Sequence, residues 1–321
     1  MRVVQVAEFG GPEVLRIAIV PEVAPAPGQV VVDVEAAGVL SIDTVIRSGQ
    51  GGEIFQVQPP YVPGVGAAGQ VSAVGEGIDR EWVGRRVLAD VENGAYAERV
   101  TTELENLIPI PDGLETRDAV ALLHDGAGAL SVFDRVDVQP GATVLVQPAA
   151  GGLGSGLVQL ASAAGARVIG AARGSHKLKV VEELGADLVV DYTMPDWIDQ
   201  IGSVNVVFDG VGGDLGRTVF ARVARGGTYS NYGFAGGGFT EIDRDQAARR
   251  GVTVIGMEQL VEGQPHRQKW ARRVLEEAAA GRIRPVIGQT YPLERAADAH
   301  TALENRDTIG KTLLLVRPGG S

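Results

Sequence analysis

The sequence predicts an α/β protein built in two parts, a β-barrel-type domain followed by a doubly wound parallel sheet. Three observations carry that reading. At 321 residues the chain is longer than one hydrophobic core usually serves. Residues 1–120 break into short β-branched runs between proline and glycine turns, the spacing of a barrel or irregular sandwich. From residue 142 onward, apolar strands alternate with helical stretches, the pattern of a parallel sheet with helices on both faces.

Taken in order, residues 2–7, 15–20, 30–37 and 68–74 are apolar or alternating and read as strands. Gly11-Pro12, Pro25-Ala26-Pro27-Gly28 and the run Pro59 to Gly64 separate them, because proline cannot sit in a central strand. Residues 87–91 and 95–100 add two short strands, and 117–123 is a helix with Thr116 as its expected N-cap. Residues 120–135 lie between the two regions. The segment 142–173 then reads strand, glycine turn, helix, strand, which is one βαβ unit. Helices at 177–184, 195–201 and 214–223 alternate with strands at 188–192, 205–209, 227–232 and 252–257, and 233–238 is a glycine loop. An amphipathic helix over 266–280 stops at Gly281. A strand, helix and strand at 287–290, 296–305 and 312–316 are expected to rejoin the first domain. The expected domains are 1–122, completed by 265–321, and 123–264.

Composition narrows the function. The net charge is −11, which repels a phosphate backbone and argues against nucleic acid as a partner. The chain has no cysteine, so disulfides, thiolate nucleophiles and Cys-ligated zinc are excluded. Its four histidines, 124, 176, 266 and 300, are too dispersed to suggest a metal cluster. No signal peptide and no membrane span are evident, and a cytoplasmic protein acting on a small molecule is expected. Glycine fills 45 positions, roughly twice the usual share, without a collagen period.

The glycines concentrate where chemistry is expected. A nucleotide pyrophosphate needs backbone N–H groups at a helix N-terminus with no Cβ in the way. Ala150, Gly151, Gly152 and Leu153, followed by Gly154, offer that between a strand and a helix. NAD-binding sheets carry an acid at the end of the second strand. Here that position runs Ala172-Arg173-Gly174-Ser175-His176-Lys177, with Tyr192 at the end of the next strand. Two cations at a helix start are unfavourable unless an anion sits there, and a guanidinium grips a phosphate bidentately. NADPH is therefore the expected cofactor, its 2′-phosphate on Arg173, Ser175 and Lys177.

With the 149–154 turn, the proline-rich entry 59–64, Leu184-Gly185-Ala186-Asp187, the segment 206–213 and Gly310-Lys311-Thr312 in view, the chain resembles a medium-chain dehydrogenase/reductase. In particular it resembles the zinc-free quinone oxidoreductases related to zeta-crystallin. The resemblance covers essentially the whole chain. It implies a GroES-like first domain, a Rossmann second domain, a cleft between them, and a homodimer joined through the edge strand at about 252–257. It also implies cofactor contacts at Gly210, Val211, Tyr232, Gly233 and Phe234. Neither zinc site of the superfamily is expected without cysteine. The loop 38–52 departs from the family pattern. Leu40 replaces an asparagine, and Val45 and Gly51 stand where tyrosines often occur.

Hydride transfer needs orientation, exclusion of water and at most one proton from the protein. His124 is the candidate proton donor, or else a helix cap. Asp125 is a candidate beside it, or else a turn residue. Asp43 either binds the nicotinamide ribose or holds its own loop. Leu40, Val45, Phe55 and Tyr61 are the expected substrate pocket. The expected activity is NADPH-dependent reduction of a quinone or an α,β-unsaturated carbonyl compound without metal. The alternatives are an enoyl reductase of a biosynthetic pathway and a non-catalytic NADPH-binding sensor.

Overall fold

The computed structural model of the protein describes residues 1–51, 56–256 and 267–316. Its strands are β1 (Arg2–Val6), β2 (Leu15–Ile19), β3 (Gln29–Val39), β4 (Gly66–Val74), β5 (Arg86–Asp90), β6 (Arg99–Glu103), β7 (Leu107–Pro109), β8 (Thr143–Gln147), β9 (Arg167–Ala172), β10 (Leu188–Asp191), β11 (Val204–Asp209), β12 (Val223–Asn231), β13 (Thr253–Ile255), β14 (Ile287–Pro292) and β15 (Lys311–Leu315). Its α-helices are α1 (Ser41–Arg47), α2 (Thr116–Leu123), α3 (Asp125–Phe133), α4 (Gly152–Ala163), α5 (Ser175–Glu183), α6 (Gly213–Phe220), α7 (Arg244–Arg250), α8 (Arg267–Ala279) and α9 (Ala296–Glu304). Two compact units result, one of Met1–His124 with the chain from Ala271 onward, the other of Asp125–Trp270.

The first unit is antiparallel in the main. Its large sheet runs β14-β15-β3-β4-β5-β7, with β6 also on β3, and β1 and β2 form a separate ribbon. Thr312 to Leu315 of β15 pair with Val39 to Ala36 of β3. Val30, Val32, Val34, Val87, Tyr96 and Leu107 share one core with Leu293, Ala299, Leu314 and Val316 from the tail. Each such aliphatic side chain stabilises the fold by roughly 1.5–3 kcal/mol.

The second unit is a parallel six-stranded sheet in the order β10-β9-β8-β11-β12-β13. Leu145, Ile169, Val190, Val207, Phe220 and Tyr229 belong to its core. Val144, Leu145 and Val146 are fully buried in succession, as in a strand covered on both faces. α4 ends at Gly165, whose φ of +77° suits a left-handed cap.

Several local expectations are corrected. Thr116 is not the cap of α2: Glu115 takes that position and Thr116 is buried in the first turn. Residues 125–133 form a helix that glycine and alanine concealed, and 41–47 form α1 inside the supposed loop 38–52. The strand expected at 95–100 begins only at Arg99, although Val4 N–H still bonds the Tyr96 carbonyl at 2.8 Å. The helix at 195–201 is a 3-10 turn, Trp197–Gln200. α7 had no counterpart in the sequence reading. Phe55, Met257 and His266 lie outside the described residues.

Candidate active site

The second unit's glycine turn starts α4 with almost no side-chain bulk. Gly151 is the N-cap and Gly152 the first helical residue. A Cβ on Gly154 would stand 2.0 Å from the Pro148 carbonyl oxygen, and one on Gly152 would stand 2.0 Å from Asp125 Oδ2. Glycine at 154 is thus required by backbone, while the space at 152 is shared with a carboxylate. Asp125 therefore sits beside Gly152, near the positive end of α4, where an acid is favoured. Ala149 N–H bonds the Ala171 carbonyl at 2.8 Å, which ties the turn to β9.

Order in the sheet reverses between β8 and β11, and ligands of such sheets bind outside the carboxyl ends of the strands at that point. The register sets Gln147, Asp209 and Asn231 side by side there. Gly210, Val211, Tyr232, Gly233 and Phe234 follow directly. A Cβ on Gly210 would meet the Tyr232 ring at 2.3 Å. The Tyr232 hydroxyl donates to the Gln147 carbonyl at 3.2 Å. Burial first, then the charges of Asp209 and Asp125, push its ionisation well above the ordinary tyrosine range, so it remains a neutral donor. Phe234 and the loop's Phe239 meet edge to face at 5.0 Å and are both exposed.

At the other end, Arg173 and Ser175 are exposed and Lys177 is half-buried around the start of α5. Gly174 caps the helix with φ +83°. An acid is present after all, from β10 rather than β9. Asp191 Oδ2 accepts from Gly174 N–H at 2.9 Å. Burial pushes this carboxyl up, but hydrogen bonds from Thr193 and Gly174 and the nearby Arg173 charge together hold it below its ordinary value. Tyr192 stacks edge-on to Trp197 at 6.4 Å.

In the first unit, Asp43 lies at the third position of α1 and reaches back to Leu40 N–H at 2.9 Å, half of a capping box. Its Oδ2 also accepts from the Tyr96 hydroxyl at 2.9 Å. Behind Tyr96, His300 Nε2 is 3.2 Å away, and Arg47 joins His300 to Glu304. Asp43 is buried, which raises its carboxyl against the opposing pull of Leu40 N–H, Tyr96, Lys311 and His124. It is engaged on the protein side by its own loop. Tyr61 shares a cavity of about 20 Å³ with Asp43, Ile46 and Glu92. Its hydroxyl is buried and has no hydrogen-bond partner among the described residues. Burial and the Asp43 charge push its ionisation up to about 12. Val45 is half-buried on the same helix. His124 ends α2 and meets Asp90.

Sequence reasoning named Asp43, Tyr61 and His124 but missed Asp90, Tyr96, Arg47 and His300, which the fold gathers from distant positions. Asp209 enters the sequence reading only within the segment 206–213. A lone acid closing the apolar run Val206-Val207-Phe208 and preceding glycines was the available signal. The described residues contain no cluster of three or more His, Cys, Asp or Glu side chains fit to hold a metal ion.

Two family models match parts of the chain. Residues 26–112 match the model of the alcohol dehydrogenase GroES-like domain, and 184–314 that of the zinc-binding dehydrogenases. The quinone oxidoreductase of Rattus norvegicus is 31% identical, with 98% of each chain covered. A mycobacterial protein solved in complex with NADPH is 33% identical, with TM-score 0.87 over 98% of this chain and 100% of that one. Escherichia coli quinone oxidoreductase complexed with NADPH is 27% identical, with TM-score 0.84 over 98% and 100%.

Proposed function

The chain belongs to the quinone oxidoreductase family of the medium-chain dehydrogenases/reductases, and from that premise we propose that it reduces a quinone or an α,β-unsaturated carbonyl compound without a metal. It is an oxidoreductase and NADPH is its cofactor. The observation that carries the reading is the glycine start of α4, Gly151, Gly152 and Gly154, beside the reversal of strand order.

The chain's own groups fit that cofactor. Ala150, Gly151, Gly152 and Leu153 present backbone N–H groups to a pyrophosphate. Arg173, Ser175 and Lys177 take the 2′-phosphate. Gly210, Val211, Tyr232, Gly233 and Phe234 line the other half. When bound, NADPH supplies a hydride from its nicotinamide. His124 holds the proton that an enone requires at carbon, with the Asp90 carboxylate beside the imidazole. Asp43 keeps α1 closed on Leu40, and Tyr61 offers an unspent hydroxyl to a pocket with Leu40 and Val45. A quinone needs no protein acid, because its oxygens take protons from solvent.

Metal independence is supported by the lack of cysteine in the sequence. A homodimer through β13 is supported by its place at the sheet edge. No helix among the described residues is long and apolar enough to cross a membrane, and a cytoplasmic location is part of the proposal. The test is NADPH oxidation against a panel of quinones and enones, with and without a chelator. Turnover that survives chelation is expected. NADPH binding with no turnover of any acceptor would instead favour the sensor reading, which the altered Leu40 loop motivates.

A further inference from the structure

Asp209 is fully buried at the end of β11, and both of its oxygens are filled. Oδ1 accepts from Gln147 Nε2 at 2.9 Å, Val211 N–H at 2.9 Å and Gly212 N–H at 3.0 Å. Oδ2 accepts from Thr240 Oγ1 at 2.9 Å, from Asn231 Nδ2 at 3.2 Å and from the Tyr229 hydroxyl. The same Asn231 amide donates to the Gly233 carbonyl at 3.2 Å. The carboxylate therefore joins the ends of β8, β11 and β12 to Thr240 beyond the glycine loop, and through Asn231 to Gly233 at its start. The loop returns the tie: Ala235 N–H bonds the Gly210 carbonyl at 3.1 Å, and Gly236 N–H bonds that of Val211 at 2.6 Å.

A buried carboxylate is tolerated only when its lone pairs are satisfied, and charge-assisted bonds are the strong ones. Of these donors, Val211, Gly212, Tyr229, Asn231 and Thr240 come from segments on one side of the strand reversal, while Gln147, at the end of β8, comes from the other. The adenosine half belongs to the β8–α4–β9 turn and Arg173. The nicotinamide half belongs to β11, β12 and the glycine loop.

We propose that Asp209 is the positioning residue for the nicotinamide half of the cofactor: it sets the backbone of Gly210–Gly212 and clamps loop 233–240 against it, while the adenosine half binds independently of it. This rests on the NADPH reading above. No second acid among its contacts can substitute, and asparagine would turn one acceptor into a donor facing donors.

The test is titration of the full chain with NADPH and with 2′,5′-ADP, which carries the 2′-phosphate but no nicotinamide. Wild type, Asp209→Asn and Thr240→Val are compared. The NADPH dissociation constant is expected to rise about tenfold or more for Asp209→Asn and several-fold for Thr240→Val. That for 2′,5′-ADP stays within about twofold. A residue that served stability alone would weaken both ligands equally or neither, and either result overturns the proposal. Thr240 is half-buried and valine keeps its shape, so this variant decides the matter if Asp209→Asn fails to fold. A wild type that binds neither ligand overturns the NADPH reading itself.

Discussion

His124 Nε2 stands 3.4 Å from Asp90 Oδ1, with the imidazole side chain 14% exposed and the carboxylate 5%. The two residues end α2 and β5, and Gly66 of β4 leaves room for the ring: a Cβ there would meet His124 Cε1 at 2.6 Å. A carboxylate on one ring nitrogen leaves the other to meet a ligand. His124→Ala is expected to lower kcat for an enone by about 100-fold or more and for a quinone far less. Steady-state kinetics with both acceptors checks this, and unchanged turnover of both removes His124 as the acid.

Cofactor choice should respond to the start of α5. Replacing Arg173 and Lys177 together with alanine is expected to weaken NADPH about tenfold or more and NADH little. Equal weakening of the two nucleotides in a fluorescence titration would move the 2′-phosphate elsewhere.

The two glycines of the turn should not be equivalent. The obstacle facing a Cβ at Gly154 is the Pro148 backbone, whereas at Gly152 it is the movable end of the Asp125 side chain. Gly154→Ala is expected to cost about 1–3 kcal/mol of stability, and Gly152→Ala clearly less. Urea unfolding of both variants measures the difference.

Stability should also depend on pH through His300. Burial, with the Arg47 charge, lowers its pKa from 6.5 to about 3. As pH falls below 6.5 the unfolded chain takes a proton that the folded chain refuses. Stability present above that point is lost progressively down to about 3, by at most about 1.4 kcal/mol per pH unit. Asp43 acts in the opposite sense, since its raised carboxyl takes a proton in the folded state first. His300→Gln is expected to be less stable at pH 7 but to lose less between pH 6 and 5. Parallel pH dependence of the two proteins would count against the assignment.

What the sequence made legible was whatever depends on neighbours in the chain. The alternation of β8, α4 and β9 showed itself because Val144 to Val146 and Val168 to Ile169 are continuous apolar runs around small residues. α3 did not, because Asp125-Gly126-Ala127-Gly128 reads as a turn until tertiary burial of Ala127, Leu130 and Val132 makes it a helix. α7 is too polar to announce itself by periodicity. Asp43 was visible as a candidate, but its partner Tyr96 lies 53 residues along the chain, and His300, which meets Tyr96, lies 204 residues beyond that. The acid near Arg173 was sought on β9 and arrives from β10, since only sheet pairing brings Asp191 to Gly174.

The split of the first unit has a temporal meaning. β3 finds its neighbour β15 only from the far end of the chain, whereas every strand of the six-stranded sheet lies within Asp125–Trp270. On the ribosome, where domains fold in order of emergence, the unit of the six-stranded sheet completes its sheet first, although the other unit begins earlier. Until residue 315 has been added, the stretch Ala36–Val39 keeps an unpaired apolar edge, which is the kind of surface that invites misassembly. A nascent chain halted short of β15 is therefore already able to fold the unit of the six-stranded sheet and still unable to close the other.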